Sequence, residues 1–229
     1  MDLCLKDIQK LLNVSEKTVY RWIREKKIPA YRISHQYRFN RAEINEWILK
    51  NRIPVSDSLL DLGLTKRPSS LALLLRRGGV FGEIRGDAVA EVIRNTIAAI
   101  PTPPEVDKER ICASLIAREE LMSTALGHGV AIPHPRTPLI SDIEHESLAI
   151  CYLEHPVDFL SIDREPVGTL LVLFSANAKH HLEALSKISS LCGRPEFLGL
   201  LEVRADAARI LAYVEGAEAE WARARGEHD

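Results

Sequence analysis

Cysteine is scarce and scattered in this sequence. Cys4, Cys112, Cys151 and Cys192 are the only four among 229 residues, and no two form a CxxC pair. That argues against a disulfide scaffold or a thiolate zinc site, and such thiols fit a reducing, cytoplasmic setting. Long apolar runs are missing as well: no stretch approaches the roughly 20 residues that cross a bilayer. Met1-Asp2-Leu3-Cys4-Leu5-Lys6 lacks the basic region and apolar stretch of a secretory leader, so none is expected. No internal repeat is visible. What is present excludes disorder, because 46% hydrophobic and 27% charged residues is the composition of an ordinary globular protein. The length suits one large domain, or a small and a medium one.

The net charge of −2 hides an asymmetry. Residues 1–53 hold 12 Lys and Arg against 6 Asp and Glu, a formal charge of +6. The remainder holds 18 against 26, or −8. A basic head on an acidic body is expected where only one module meets a polyanion.

In the head, Leu5, Ile8, Leu11 and Leu12 share one helical face, Asn13-Val14 reads as a turn, and Ser15 is a good N-cap. The next helix, Ser15–Glu25, buries Val19, Trp22 and Ile23 and turns its basic residues elsewhere. Pro29 ends that unit. Tyr31–Phe39 alternates as a short hairpin turning near Ser34-His35-Gln36, and a third helix follows with Asn40 as N-cap and Ile44, Trp47 and Ile48 inward. This order makes a helix-turn-helix with a wing. The second helix can lie in the major groove while the hairpin reaches the backbone or minor groove. The residues expected to meet DNA are Ser15, Lys17, Thr18, Tyr20, Arg21 and Arg24 from the helix, and His35, Gln36 and Arg38 from the hairpin. A helical dimerisation or peptide-binding module, with merely solvated basic residues, is the alternative.

Residues 52–67 read as a linker, punctuated by Pro54, Ser56, Ser58 and Gly63 but carrying Leu59, Leu60, Leu62 and Leu64. Beyond it, helix-like stretches are expected at Ser70–Arg77, Asp87–Ile100, Asp107–Leu121, His181–Leu191, Pro195–Leu201 and Ala205–Val214. Gly129–Pro133, Leu148–Leu153 and Thr169–Phe174 look like buried strands. The expected fold is α/β. A small winged-helix domain (1–51) precedes an α/β sandwich with a mixed β-sheet flanked by helices (68–217). The acidic tail from Glu215 to Asp229 reads as a frayed helix end, with 218–229 outside the domain.

One histidine in the body stands out. His134 lies just beyond a strand, between Pro133 and Pro135, with Gly127 and Gly129 shortly before it. A neutral imidazole is nucleophilic and returns a phosphoryl group readily near neutral pH. Such transfer needs cationic or hydrogen-bonding groups around the moving phosphoryl, and Arg118, Arg136, Ser123 and Thr124 are near in sequence. By itself, an IPHP stretch is also compatible with a turn that holds a hydrogen-bonded histidine.

Two resemblances extend these readings. Residues 3–50 resemble the excisionase branch of the MerR-like winged-helix family, which implies DNA binding with Ser15–Arg24 as recognition helix and Ile33–Phe39 as wing. Residues from about Ser69 to Glu215 resemble the type-2 EIIA domain of the bacterial phosphoenolpyruvate:sugar phosphotransferase system, in its nitrogen-regulatory and fructose/mannitol branches. The matching motifs are Arg77-Gly78-Gly79-Val80-Phe81, the run from Arg118 to His134, Asp158–Val167, and His181-Leu182-Glu183-Ala184-Leu185.

That second resemblance implies that His134 accepts phosphate from an HPr-type phosphocarrier. It places His181 beside His134, Arg118 against the site, and Ser123 and Thr124 in the shaping of the loop. No metal or organic cofactor is implied. Met122 and Ala125 stand where glycines are usual, His128 where a short polar or acidic residue is usual, and Arg164 in place of a common glycine. His128 is expected to be an exposed loop residue, and His180 a solvated one at a helix start. His134, His181 and His128 could be imagined around a metal, but no carboxylate or thiol falls at a suitable spacing. The function implied is a phosphorylation-responsive transcriptional regulator of nitrogen-regulatory type. A sugar-specific EIIA passing phosphate to a IIB partner, and a binding-only transcription factor, remain open. A homodimer is the default for a winged-helix reader, through residues 205–223 or the Leu-rich linker.

Overall fold

The computed structural model describes residues 3–12, 14–33, 36–40, 43, 44, 47, 70–102, 106–140 and 142–226. The chain divides into two compact units, one up to Pro68 and one from Ser69.

In the first unit, β1 (Leu3–Cys4) runs into α1 (Leu5–Leu12), and α2 (Glu16–Arg24) follows after the turn. Ser15 caps α2: its side chain accepts from the Thr18 N–H at 3.3 Å. Strands β2 (Tyr31–Ile33) and β3 (Gln36–Phe39) form the antiparallel wing, and β1 pairs with β3 to give the order β1-β3-β2. Glu43, Ile44 and Trp47 are helical, and Asn40 accepts from the Glu43 N–H. Leu3, Ile8, Leu12, Val19, Ile28, Phe39 and Ile44 close a small core. Trp47 tilts against Trp22 and donates its indole N–H to the Lys27 carbonyl. The expected positions of His35, Ile48 and the 52–67 linker lie outside the described residues.

The second unit is built on a five-stranded mixed sheet. Its order is β4 (Gly79–Ile84), β7 (Ser147–Val157), β8 (Val167–Phe174), β6 (Val130–Ala131), β5 (Ala125–Gly127). The β4–β7 and β6–β8 pairs are parallel, and β7–β8 and β5–β6 are antiparallel. Along Ser147–Leu153 of β7 every residue is buried, as is nearly every residue of β8, which requires cover on both faces. One face is covered by α4 (Val89–Ala99) and α5 (Lys108–Leu121), whose Val92, Ile93, Ile97, Ile111 and Leu115 pack on Ala149, Cys151, Leu153, Leu170 and Val172. The remaining helices are α3 (Leu71–Gly78), α6 (Ala178–Cys192), α7 (Pro195–Glu202) and α8 (Ala207–Gly226). Helix α3 packs on β7, and Tyr152, between the inward residues Cys151 and Leu153, donates to the Ala205 carbonyl at 2.9 Å. No described helix is long and apolar enough to cross a membrane.

Two points of the sequence reading need extension or correction. Strands β4 and β5 were not anticipated: Gly79-Val-Phe-Gly-Glu-Ile carries two glycines, and β5 has only three residues. As far as Gly226 the tail is not frayed, since α8 runs on to that residue; 227–229 lie outside the described residues. Its Glu218 accepts from the Leu71 N–H and the Ser70 hydroxyl, both at 2.8 Å, so a carboxylate on α8 caps the N-terminus of α3. Arg76 also pairs with Glu215, and Arg194 with Glu220. All four cysteines are free, and Cys112, Cys151 and Cys192 are buried.

The Arg77-Gly78-Gly79 motif has a steric cause. A Cβ on Gly78 would lie 2.1 Å from the Leu148 carbonyl oxygen, and Gly79 turns the chain at φ +85°. Gly78→Ala must therefore push α3 off β7. Urea denaturation is expected to register a loss on the order of 3 kcal/mol, the upper part of the overpacking range. A Gly78→Ala protein of unchanged midpoint would contradict this packing.

Candidate functional site

The segment carrying His134 is pinned on both sides. The Ile132 N–H donates to the Thr124 carbonyl at 3.1 Å and the Leu173 N–H to the Pro133 carbonyl at 3.4 Å. His134 is 4% exposed, and its Nδ1 lies 2.7 Å from the Ile132 carbonyl. A carbonyl can only accept, so Nδ1 carries the ring proton and Nε2 keeps its lone pair. The His181 ring sits 5.0 Å away, centroid to centroid, at 52°. Its own Nδ1 is 2.7 Å from the Ser175 hydroxyl. Arg118, buried in the last turn of α5, donates to the Met122 carbonyl at 2.6 Å.

These neighbours set the charge state. Burial, then the nearby His181 and Arg118, push the His134 ring down to about 3. Burial and Arg118 push His181 down to about 4. Both rings are neutral at pH 7, beside a fixed guanidinium cation. The unfolded chain, with histidines at the ordinary 6.5, binds more protons than the folded one between that value and the depressed ones. Stability therefore falls as pH drops from about 6.5 toward 4 and is level above it. In an NMR titration from pH 8 to 5 the His134 and His181 ring signals are expected to show no midpoint. A midpoint near 6.5 for either would contradict the buried, neutral arrangement.

The loops around the rings are locked by carboxylates. Glu119 accepts from the Thr124 N–H at 2.8 Å and its hydroxyl at 2.5 Å, and burial raises this acid above the usual carboxylate range. The Ser123 hydroxyl donates to the Phe159 carbonyl. Ser123 and Thr124 thus shape the corner before β5. Arg136 is exposed just past the histidine and makes no hydrogen bond or ion pair among the described residues.

Asp163 latches the β7–β8 loop to the turn before β6. It accepts from the His128 N–H at 2.7 Å, the Glu165 N–H at 3.1 Å and the Ser161 hydroxyl. Those bonds, the Ser161 one foremost, hold its carboxyl below the usual range. His128 is exposed at φ 55°, and Arg164 adopts φ 62°, a left-handed turn that explains why glycine suits that place. The loop brings Asp163 and Glu165 beside His128, within 4.8 Å of one another, a grouping the sequence spacing did not reveal.

His180 is the clearest correction. It is 5% exposed rather than solvated, and its Nδ1 lies 2.8 Å from the equally buried Glu146. Helix α6 begins at Ala178, earlier than expected, so His180 falls in the first turn and faces inward. Glu119, Asp163, Ser175, Glu146 and His180 are the site-supporting residues that sequence reasoning missed. Glu119 and Asp163 fall inside motifs already quoted; for Glu146 there was no signal.

In the head, Lys17, Tyr20, Arg21 and Arg24 are exposed along one stripe of α2. Tyr20 meets Tyr37 of the wing edge-on at 5.8 Å. Ser15 and Thr18 are engaged in the cap, hydroxyl to hydroxyl at 3.0 Å, and Arg38 donates to Gln36 at 2.9 Å.

Known proteins agree with this architecture. Residues 74–217 match the family described as phosphoenolpyruvate-dependent sugar phosphotransferase system, EIIA 2, and residues 5–52 match a helix-turn-helix domain. A nitrogen regulatory protein of Pseudomonas aeruginosa is 39% identical over 110 residues, 47% of this chain and 68% of that protein. Another, of Bradyrhizobium diazoefficiens, is 35% identical over 98 residues, 42% of this chain and 62% of its own length. The crystal structure of nitrogen regulatory protein IIA-Ntr from Neisseria meningitidis shares the fold at a TM-score of 0.53 and 24% identity, covering 59% of this chain and 92% of that one. The chain therefore belongs to the type-2 EIIA family of the phosphoenolpyruvate-dependent sugar phosphotransferase system and carries a helix-turn-helix domain ahead of its EIIA domain.

Proposed function

We propose that this chain accepts a phosphoryl group on Nε2 of His134 from an HPr-type phosphocarrier and binds DNA through its head, as a phosphorylation-responsive transcriptional regulator of nitrogen-regulatory type. The observation that carries the first half is the Nδ1 contact with the Ile132 carbonyl. It leaves Nε2 as the one nucleophilic nitrogen and fixes the ring that bears it.

In the transfer, the P–N bond of the carrier's phosphohistidine breaks as a P–Nε2 bond forms on His134. The carrier's imidazole leaves with the electron pair of the broken bond. Arg118 supplies a fixed positive charge beside the incoming group. In the tautomer in which the Ser175 hydroxyl, 2.7 Å from its Nδ1, is the donor, His181 presents an Nε2–H to a phosphoryl oxygen. The neutral rings are ready to receive an anion without first losing a proton. A protein partner is also supported by Leu160 and Ile162, 80% and 75% exposed on the loop that latches beside His128.

The second half rests on the basic stripe of α2 and on the +6 charge of residues 1–53. Dimeric binding, each head reading one half-site, is part of this reading. A phosphoryl group adds close to two negative charges to the body, enough to shift a charge-dependent equilibrium. The test is incubation with phosphoenolpyruvate, enzyme I and an HPr-type carrier, read by intact mass and then by DNA affinity. A gain of one acid-labile phosphoryl group supports the acceptor assignment. No gain on a folded protein with a competent donor removes it, and unchanged DNA affinity after a gain removes the coupling.

A further inference from the structure

The Glu146–His180 pair has no part in the transfer just described, yet it is buried next to it. The Glu146 carboxylate is 4% exposed at the entry to β7. It accepts from the Ala176 N–H at 2.8 Å, and both its oxygens lie within 2.9 Å of His180 Nδ1. The acceptor being a carboxylate, His180 Nδ1 carries the proton. Arg77 steadies the same stretch from α3, donating to the Ile143 carbonyl at 2.8 Å and the Glu146 carbonyl at 3.3 Å.

Glu146 reaches the site by two routes. Ala176 is bonded to Ser175, whose hydroxyl contacts the His181 ring at 2.7 Å. His180 is bonded to His181 itself, in a helix turn capped by Asn177. One carboxylate therefore holds both Ala176, the neighbour of the serine that contacts the His181 ring, and His180, the residue that precedes His181 in the chain. A buried ionisable pair is a poor source of net stability, since its desolvation offsets its attraction and an apolar pair of the same size does as well. Its gain here is orientation.

Resting on the phosphoacceptor reading above, we propose that Glu146 and His180 are positioning residues that fix the His181 ring against His134. The partner chemistry is unchanged; what the pair controls is how well His181 meets the phosphoryl group in transfer. Misplacing such a group by about 1 Å costs up to 100-fold in rate.

The test compares His180→Leu, which removes the donor, with His180→Asn, whose amide nitrogen can take the place of Nδ1. Two readouts are used: the ¹⁵N ring signals of His181 in unphosphorylated protein, and the transfer rate from a phosphorylated HPr-type carrier. His180→Leu is expected to displace the His181 signals and slow transfer about 10- to 100-fold at an unchanged KM for the carrier. His180→Asn is expected to recover most of both. Wild-type signals and rate in a folded His180→Leu protein, or no recovery with His180→Asn, would overturn the assignment. Should His180→Leu fail to fold, Glu146→Gln takes its place, with displaced signals expected and wild-type ones overturning it. A wild-type protein that takes up no phosphoryl group would sink the phosphoacceptor reading instead, while the ring signals still test the pair on their own.

Discussion

His134→Ala protein is expected to gain no mass on incubation with phosphoenolpyruvate, enzyme I and an HPr-type carrier, while wild-type protein gains one acid-labile phosphoryl group. The loss is complete because the other histidines near the site cannot substitute. His181 has its Nδ1 on Ser175, His180 is buried on Glu146, and His128 lies exposed in the turn between Gly127 and Gly129. His181→Ala separates acceptor from helper. It should still take up one phosphoryl group, but about 100-fold more slowly, the cost of removing one donor that stabilises charge in the transition state. Uptake by His134→Ala at the wild-type rate would move the acceptor elsewhere. A complete block in a folded His181→Ala protein would mean that the two rings share the acceptor role.

The neutral state of His134 explains why the variants are informative over a wide pH range. With the ring held at about 3 by burial and its neighbours, the nucleophile is present at full strength from pH 8 down to 5. Rate differences between variants over that interval report positioning and charge stabilisation rather than protonation of His134.

The buried setting of His134 was legible from the sequence because the features that fix it are local. Glycines, a short strand and two prolines within ten residues fix the backbone that carries His134, and motif spacing places Arg118 and His181. What escaped was the supporting set, whose bonds span long distances. Glu146 is 34 residues from His180, and Glu218 is 147 from Leu71. Helical periodicity cannot show that an acidic residue at a strand entry faces a histidine on a distant helix. The acidic run from Glu215 reads as solvated until α3 lays its N-terminus against it. Strand β4 escaped for a different reason: its pairing with β7 is a tertiary contact, and two of its six residues are glycines, which lack strand preference of their own.

Replacing Lys17, Arg21 and Arg24 together by Ala is expected to weaken DNA binding about 100-fold or more and to flatten its salt dependence by about 3 in the log–log slope. The geometry of α2 sets these three residues apart. All three are exposed on one stripe, whereas Ser15 and Thr18 are engaged in capping the helix and Val19 is buried in the small core. Removing them leaves the cap, the core and the Tyr20–Tyr37 contact in place, so the head should keep its fold. Fluorescence anisotropy with a random-sequence duplex, titrated at several salt concentrations, measures both effects without knowledge of the operator. Phosphoryl uptake on His134 should be unaffected in the same variant, which separates the two activities. An affinity within a few-fold of wild type and an unchanged slope would mean that the stripe is solvated and that the head binds something other than a polyanion.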